Sequence, residues 1–255
     1  MERKALHKLP LLTVLVVLLM GLNPHSALAA DTDDDGTPRI AGIQTKPEGQ
    51  TYGRWAAEWW QWALGIPALV NPLTDTTGEH CAQRQVDQVW FLAFAASADP
   101  AVPPPAVVRS CEIPSGKSLF FPLINNFYGA FLNDPPETRT EEFVRESASC
   151  TEPAQISVSI DGFKVPKPTR FFTGPSGSQS PLFNVQLPPG NLFGDDETTV
   201  PELVLSPSAE QGYYLFVRPL SHGTHTIRWT ASGCNPGGSQ DITYHLKFVG
   251  GGPKH

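Results

Sequence analysis

The sequence predicts a mainly β fold, a β-sandwich or jelly roll, joined to an N-terminal tryptophan-rich helix and one further short helix. Two observations carry the β assignment. From Val86 onward, short apolar runs of strand character recur, and Gly, Pro and Asp turns separate them. Several of these runs alternate strictly, as Ile156, Val158 and Ile160 do with Ser157, Ser159 and Asp161. A third observation sets one window apart. Thr51–Pro67, TYGRWAAEWWQWALGIP, has helical spacing and holds four of the six tryptophans.

The N-terminus reads as an export signal. Arg3, Lys4 and Lys8 form a basic start, Leu9 to Leu22 is almost purely apolar, and Ala27-Leu28-Ala29 is a small-x-small cleavage site. The apolar run is short of the roughly 20 residues that span a bilayer. Cleavage after Ala29 is therefore expected, with no membrane span in the mature form. The mature chain would keep 226 residues (255 minus 29), 15 basic groups (18 minus 3) and 24 acidic ones (25 minus 1), net about −9. That length suits one β domain. An acidic chain without a basic stripe is a poor binder of nucleic acid. Residues 30–50 read as a flexible acidic leader, 51–250 as a single domain and 251–255 as a tail. Asp31, Asp33, Asp34 and Asp35 resemble the start of a calcium loop, but Gly42 stands where a bidentate Glu is required. A solvated charge run is the expectation, with no metal and no cofactor.

In the tryptophan window, Thr51 is the expected cap and Pro67 the stop. At 100° per residue, Trp55, Trp59, Trp62 and Ile66 form a narrow core-facing stripe. Trp60 lies off it, beside Ala56, Ala63 and Leu64, and so is a candidate for display to a ligand. Asn71 to Gln85 reads as a loop and Val86 to Ala95 as a central strand with two apolar faces. Val107–Ile113 and Ser118–Asn125 predict a hairpin turned at Pro114–Lys117, with Pro122 marking an edge or a bulge. Thr138 and Glu141 suggest a capping box for a short helix over Thr138–Ser149. Leu182–Leu187, Leu203–Leu205, Tyr213–Val217, Thr224–Thr230 and Ile242–Phe248 are the remaining strands, and Asp161-Gly162 turns a hairpin.

Four cysteines in an exported chain predict two disulfides. Of three connectivities, Cys81–Cys111 with Cys150–Cys234 is favoured, because the first pair flanks strands. The strings YGRWAAEWWQWALGIP, NPLTDTTGEHCAQ, VWFLA and CEIPSGKSLFFPLINN resemble an uncharacterised family of secreted bacterial proteins. The resemblance spans most of the mature chain. It implies export and a single unit joining helix to β region, and it carries over no catalytic residue.

Most chemical motifs fail on inspection. Ser115-Gly116-Lys117-Ser118 resembles the end of a phosphate loop, yet Cys111 occupies the position of its first glycine and strands flank it. The run TGPSGSQS lacks a G-x-S-x-G elbow, and no serine is singled out. His222 and His225 are three apart, but a third zinc ligand is not evident, and His245 is expected to face solvent. Asp75, Glu79 and His80 share one loop beside Cys81, and Glu58 adjoins Trp59. Paired carboxylates held about 5–10 Å apart can hydrolyse glycosidic bonds, so Glu58, Asp75 and Glu79 are the weak catalytic candidates. Trp60 could stack on a sugar ring, with Asn125 and Asn126 offering amide contacts. The expected function is a non-enzymatic, exported binding or envelope-associated module with extracellular carbohydrate as the candidate partner. Glycan hydrolysis and a purely structural or protein-interaction role are the alternatives.

Overall fold

The computed structural model describes residues 37–85, 87–96, 104–175 and 178–250. The segment read as an export signal, the Asp31–Asp35 cluster and the stretch read as a tail lie outside the described residues. So do Val86, Pro103 and Ser176.

Over the described residues the protein is a β-rich, sandwich-like structure of two sheets and two α-helices. The strands are β1 (Val89–Phe91), β2 (Val107–Pro114), β3 (Ser118–Phe131), β4 (Glu152–Ile160), β5 (Phe163–Lys164), β6 (Phe183–Gln186), β7 (Val204–Val217), β8 (Gly223–Cys234) and β9 (Ser239–Val249). One sheet has the order β1-β3-β7-β6, the other β2-β9-β8-β4-β5. The helices are α1 (Tyr52–Leu64) and α2 (Glu141–Ser147).

Helix α1 packs on the outer face of the first sheet, so that sheet is covered on both sides. Strand β3 shows what this asks of a sequence. Phe120 points to α1, stacking on Tyr214 at 5.3 Å and meeting Tyr52 at 5.8 Å. Phe121, on the opposite face, meets Trp229 of the second sheet at 5.1 Å. Residues 118–124 are accordingly all buried, as a doubly covered strand requires. Each such aromatic removed from water contributes about 2–3 kcal/mol before entropy is counted.

The bulge expected at Pro122 is present, and it has a consequence. Before it, Phe120 pairs with Phe216; after the register shift between Pro122 and Ile124, Asn125 pairs with Gly212 and Phe127 with Glu210. A one-residue shift exchanges the faces of a strand. Even-numbered residues face α1 before the bulge, and odd-numbered ones after it. Asn125 and Phe127 thus join Phe120 on the α1 side, while Asn126 turns away. Gly212 is required opposite Asn125, because a Cβ there would lie 2.3 Å from the Asn125 Cβ.

Both disulfides form as expected, Cys81–Cys111 and Cys150–Cys234. Helix α1 is capped by Thr51, whose side chain accepts from the Arg54 N–H, but it ends at Gly65 before reaching Pro67. The cap of α2 is Thr140, not Thr138.

Other expectations are corrected. Val107–Ile113 and Ser118–Asn125 are not a hairpin. β2 runs parallel to β9 in the second sheet, β3 belongs to the first, and the turn between them is a corner between sheets. Over its described residues the Val86–Ala95 stretch yields only the three-residue β1, at a sheet edge. Beyond it, side chains replace a neighbouring strand: Tyr244 Oη accepts from the Ala93 N–H and Gln240 Oε1 from the Ala95 N–H. Val204 and Leu205 of the Leu203–Leu205 run lie with Tyr213–Val217 on one continuous strand, β7, while Leu203 closes the helical turn before it. The leader is not loose over its described part. Ile40 bridges Val217, the Ala41 N–H donates to the Phe216 carbonyl, and Tyr52 Oη donates to the Ala41 carbonyl.

Arg109 ties this frame together from β2. It is only 1% exposed, and its guanidinium donates to the carbonyls of Asp75 and Ala93 and to Tyr244 Oη. The buried cation is solvated by main-chain dipoles, which holds the 71–85 loop against the sandwich.

Candidate functional site

Helix α1 has one polar ridge. Arg54, Glu58 and Gln61 follow each other at i, i+4 and i+7, the spacing of a single helix face. The helix is otherwise buried. Three depressions meet around Gln61. The first, about 410 Å³, lies between Glu58, Gln61, Arg84 and Asp87 over the edges of Trp55, Trp62 and Phe91. The second, about 440 Å³, continues past Arg84 to Asn184 and Gln186. The third, about 220 Å³, runs between Arg54, Glu58 and Phe183. The first two have the volume of small-molecule sites, and the first has their composition, an apolar floor with a few polar groups above it.

The floor is apolar because its indoles have already used their N–H groups. Trp55 Nε1 donates to the Pro47 carbonyl and Trp62 Nε1 to the Gln83 carbonyl. The polar groups are individually placed. Glu58 accepts from Gln50 Nε2 at 3.1 Å and lies 3.6 Å from Arg54 Nε. Gln61 Nε2 donates to the Asn184 carbonyl at 2.8 Å. Arg84 donates to the Gly65 carbonyl at the C-terminus of α1, where a cation is favoured by the helix dipole. Arg84 and Asp87 both have positive φ, 48° and 55°, in the turn that folds over the helix. The groove therefore offers carboxylate acceptors, a guanidinium donor and an amide that does both.

The carboxylates expected to pair do not share partners. Glu58 bonds within α1 and to Gln50. Asp75 is committed to its own loop, where Oδ1 accepts from the Thr77 N–H, Thr77 Oγ1 and the Gly78 N–H, and Oδ2 from the His80 N–H. Burial alone would raise the Asp75 pKa, but these bonds outweigh it and hold the carboxyl below its usual value. Glu79 is exposed on the same loop. Asp87, which sequence reasoning missed, is the carboxylate that lines a cavity with Glu58.

The display of Trp60 is also corrected. Trp60 is 7% exposed, its ring stacks on Phe127 at 4.6 Å, and Nε1 donates to Tyr214 Oη at 3.2 Å. No face remains for a sugar. Asn125 does converge with Trp60, donating to the same Tyr214 oxygen at 2.8 Å. Asn126 does not; it donates to the Ser147 and Ser149 carbonyls and anchors the end of α2.

Behind Trp60 lies a buried polar chain that the sequence did not reveal. Tyr214 Oη donates to Glu210 Oε2 at 2.8 Å, and Thr173 Oγ1 donates to the same oxygen at 3.1 Å. Glu210 is 3% exposed. Burial pushes its pKa up to about 8, against weaker lowering by the Tyr214 and Thr173 hydrogen bonds. Burial and the Glu210 charge likewise push the Tyr214 phenol up. Ser180 Oγ faces the carboxyl, but the pair falls short of hydrogen-bond geometry, leaving Oε1 and Ser180 Oγ without partners among the described residues.

Among the described residues, no group of three or more His, Cys, Asp or Glu side chains is arranged to hold a metal ion. No protein-family model matches the sequence, and comparison with curated proteins and with solved structures returns no match.

Proposed function

We propose that the protein is an exported binding module that takes a neutral, polar ligand of the carbohydrate class in the groove beside α1. The observation that carries this reading is the first depression, where Glu58, Gln61, Arg84 and Asp87 stand over apolar edges of Trp55, Trp62 and Phe91. Sugars present both surfaces at once: C–H faces suit aromatic edges, and hydroxyls exchange hydrogen bonds with carboxylate, amide and guanidinium. Export is supported by the signal-like N-terminus and by two disulfides, which persist in oxidising compartments. No described helix is long and apolar enough to cross a membrane.

The test is a glycan array followed by calorimetric titration of any hit. Glu58→Gln and Gln61→Ala should each weaken binding about tenfold or more, since each removes a contact worth roughly 1.4 kcal/mol or more. An empty array, or a hit that both variants bind unchanged, would sink the assignment.

A second reading is glycan hydrolysis, and the location of Glu58 and Asp87 in one cavity favours it. It replaces the Glu58, Asp75 and Glu79 grouping expected from sequence. Release of reducing ends from a bound glycan, abolished in Asp87→Asn, would select this reading over binding alone.

A further inference from the structure

We propose that Ser221, His225 and Asp161 form a nucleophilic triad that cleaves acyl esters at the protein surface. The site is built on different elements from the α1 groove and stands whether or not the groove binds sugar. Its geometry is that of a serine nucleophile, a base and an orienting carboxylate. Ser221 Oγ lies 3.2 Å from His225 Nε2, and His225 Nδ1 lies 2.6 Å from Asp161 Oδ2.

Each group is held by the fold. Asp161 occupies the two-residue turn between β4 and β5, at φ 51°, and its other oxygen accepts from the Thr226 N–H at 2.7 Å. Its carboxylate is thereby aimed across to the start of β8. His225 sits on that start, with its ring edge-on to Phe248 at 5.6 Å, and its side chain is only 12% exposed. Ser221 lies in the connection from β7 to β8, next to the buried Leu220, while Ser221 itself is exposed. Gly223, at φ 128°, returns the chain so that His225 comes back onto Ser221. An oriented base with an accessible hydroxyl is the arrangement that acyl transfer requires.

The second contact of Nε2 gives its protonated form an acceptor. Nε2 lies 3.0 Å from the Ser221 carbonyl oxygen. With the proton on Nδ1, facing Asp161, the Nε2 lone pair accepts from Ser221 Oγ–H. As Oγ bonds to the ester carbonyl carbon, that proton passes to Nε2, and the imidazolium can then donate to the Ser221 carbonyl. The carbon–oxygen bond to the alcohol breaks, and the alcohol leaves with the proton. Water then donates a proton to Nε2 and adds to the acyl carbon. Oγ departs, recovers the proton, and the carboxylic acid is released. Asp161 touches no reacting atom and is a positioning residue.

The experiment uses the full exported chain with two probes, a fluorophosphonate and p-nitrophenyl acetate. The phosphonate should label Ser221, located by peptide mapping. Ser221→Ala should lose the label entirely while keeping the wild-type melting temperature, because the hydroxyl is exposed. His225→Gln should label at least about 10²-fold more slowly, the low end of what a positioned base contributes. Asp161→Asn should lower kcat for the acetate ester with KM unchanged, a split that general loosening of the fold would not produce. A wild-type protein that carries no label on Ser221, or labels as fast as His225→Gln, overturns the proposal and leaves His225 as a structural clamp between Asp161 and the Ser221 carbonyl.

Discussion

The two sides of helix α1 use the same kinds of residue in opposite ways. Inward, Trp60 and Asn125 each donate an N–H to Tyr214 Oη, whose O–H donates to Glu210, and Trp60, Tyr214 and Glu210 are buried. Outward, Arg54, Glu58 and Gln61 form a wet ridge over a groove floored by Trp55 and Trp62. A carboxylate on the inner side is neutralised by burial, and one on the outer side remains in contact with water. Polar groups buried in a hydrogen-bonded chain specify packing, whereas polar groups at a cavity rim remain available to a ligand.

The largest test of that contrast is Glu210. Its folded-state pKa, about 8, exceeds the ordinary 4.5. The group costs nothing below pH 4.5, where folded and unfolded chains are both protonated. The cost grows as pH rises towards 8 and levels off above it. The full shift corresponds to about 5 kcal/mol. Denaturant unfolding at pH 4 and pH 9 should show wild type losing several kcal/mol over this range. Glu210→Gln should remove most of that loss, its amide facing Ser180. An equal loss in the variant would mean that Glu210 is solvated and that the two sides of α1 do not differ.

Next in size is Trp59→Ala. Trp59 is fully buried between Trp60, Trp62 and Phe94, and Nε1 donates to the Leu92 carbonyl. The expected cost is about 4 kcal/mol in chemical unfolding. A cost near 1 would show that α1 is not anchored through this ring.

A smaller effect is expected at Asn125→Ala, about 1 kcal/mol, because Tyr214 keeps its hydrogen bonds to Trp60 and Glu210. The smallest is Arg54→Ala on the outer ridge. The Arg54–Glu58 pair is 60% and 33% exposed, so its removal should change stability by no more than about 0.5 kcal/mol. If Arg54→Ala proved the costlier of these two, the inner and outer sides would need to be exchanged in this account.

Much of the fold was legible where the signal is local. The 3.6-residue period of Trp55, Trp59 and Trp62 placed α1, and Asp161-Gly162 placed the β4–β5 turn. The candidate sites were less legible. Trp60 and Asn125 were noticed, but for display, because a helical wheel cannot show that a second surface closes over it. Glu210 was missed because Pro207, Glu210 and Gly212 break the apolar pattern of β7, and only α1 and the Thr173 segment make that stretch an interior. Arg84 and Asp87 looked like ordinary turn residues until the turn folded over the helix. Asp161 and His225 are 64 residues apart and meet only because β4 pairs with β8.

The sequence by itself determined the helix and the alternation of the strands, since each follows from neighbouring residues, and it narrowed the disulfides to three pairings, of which the structure shows the favoured one. Only the tertiary structure decided which sheet β2 joins, which way Asn125 faces and which carboxylates meet water. The physical reason is the same in each case. A turn such as Pro114–Lys117 has similar local chemistry whether it closes a hairpin or a corner, and a bulge reverses a strand's faces through its pairing with a partner more than 80 residues away.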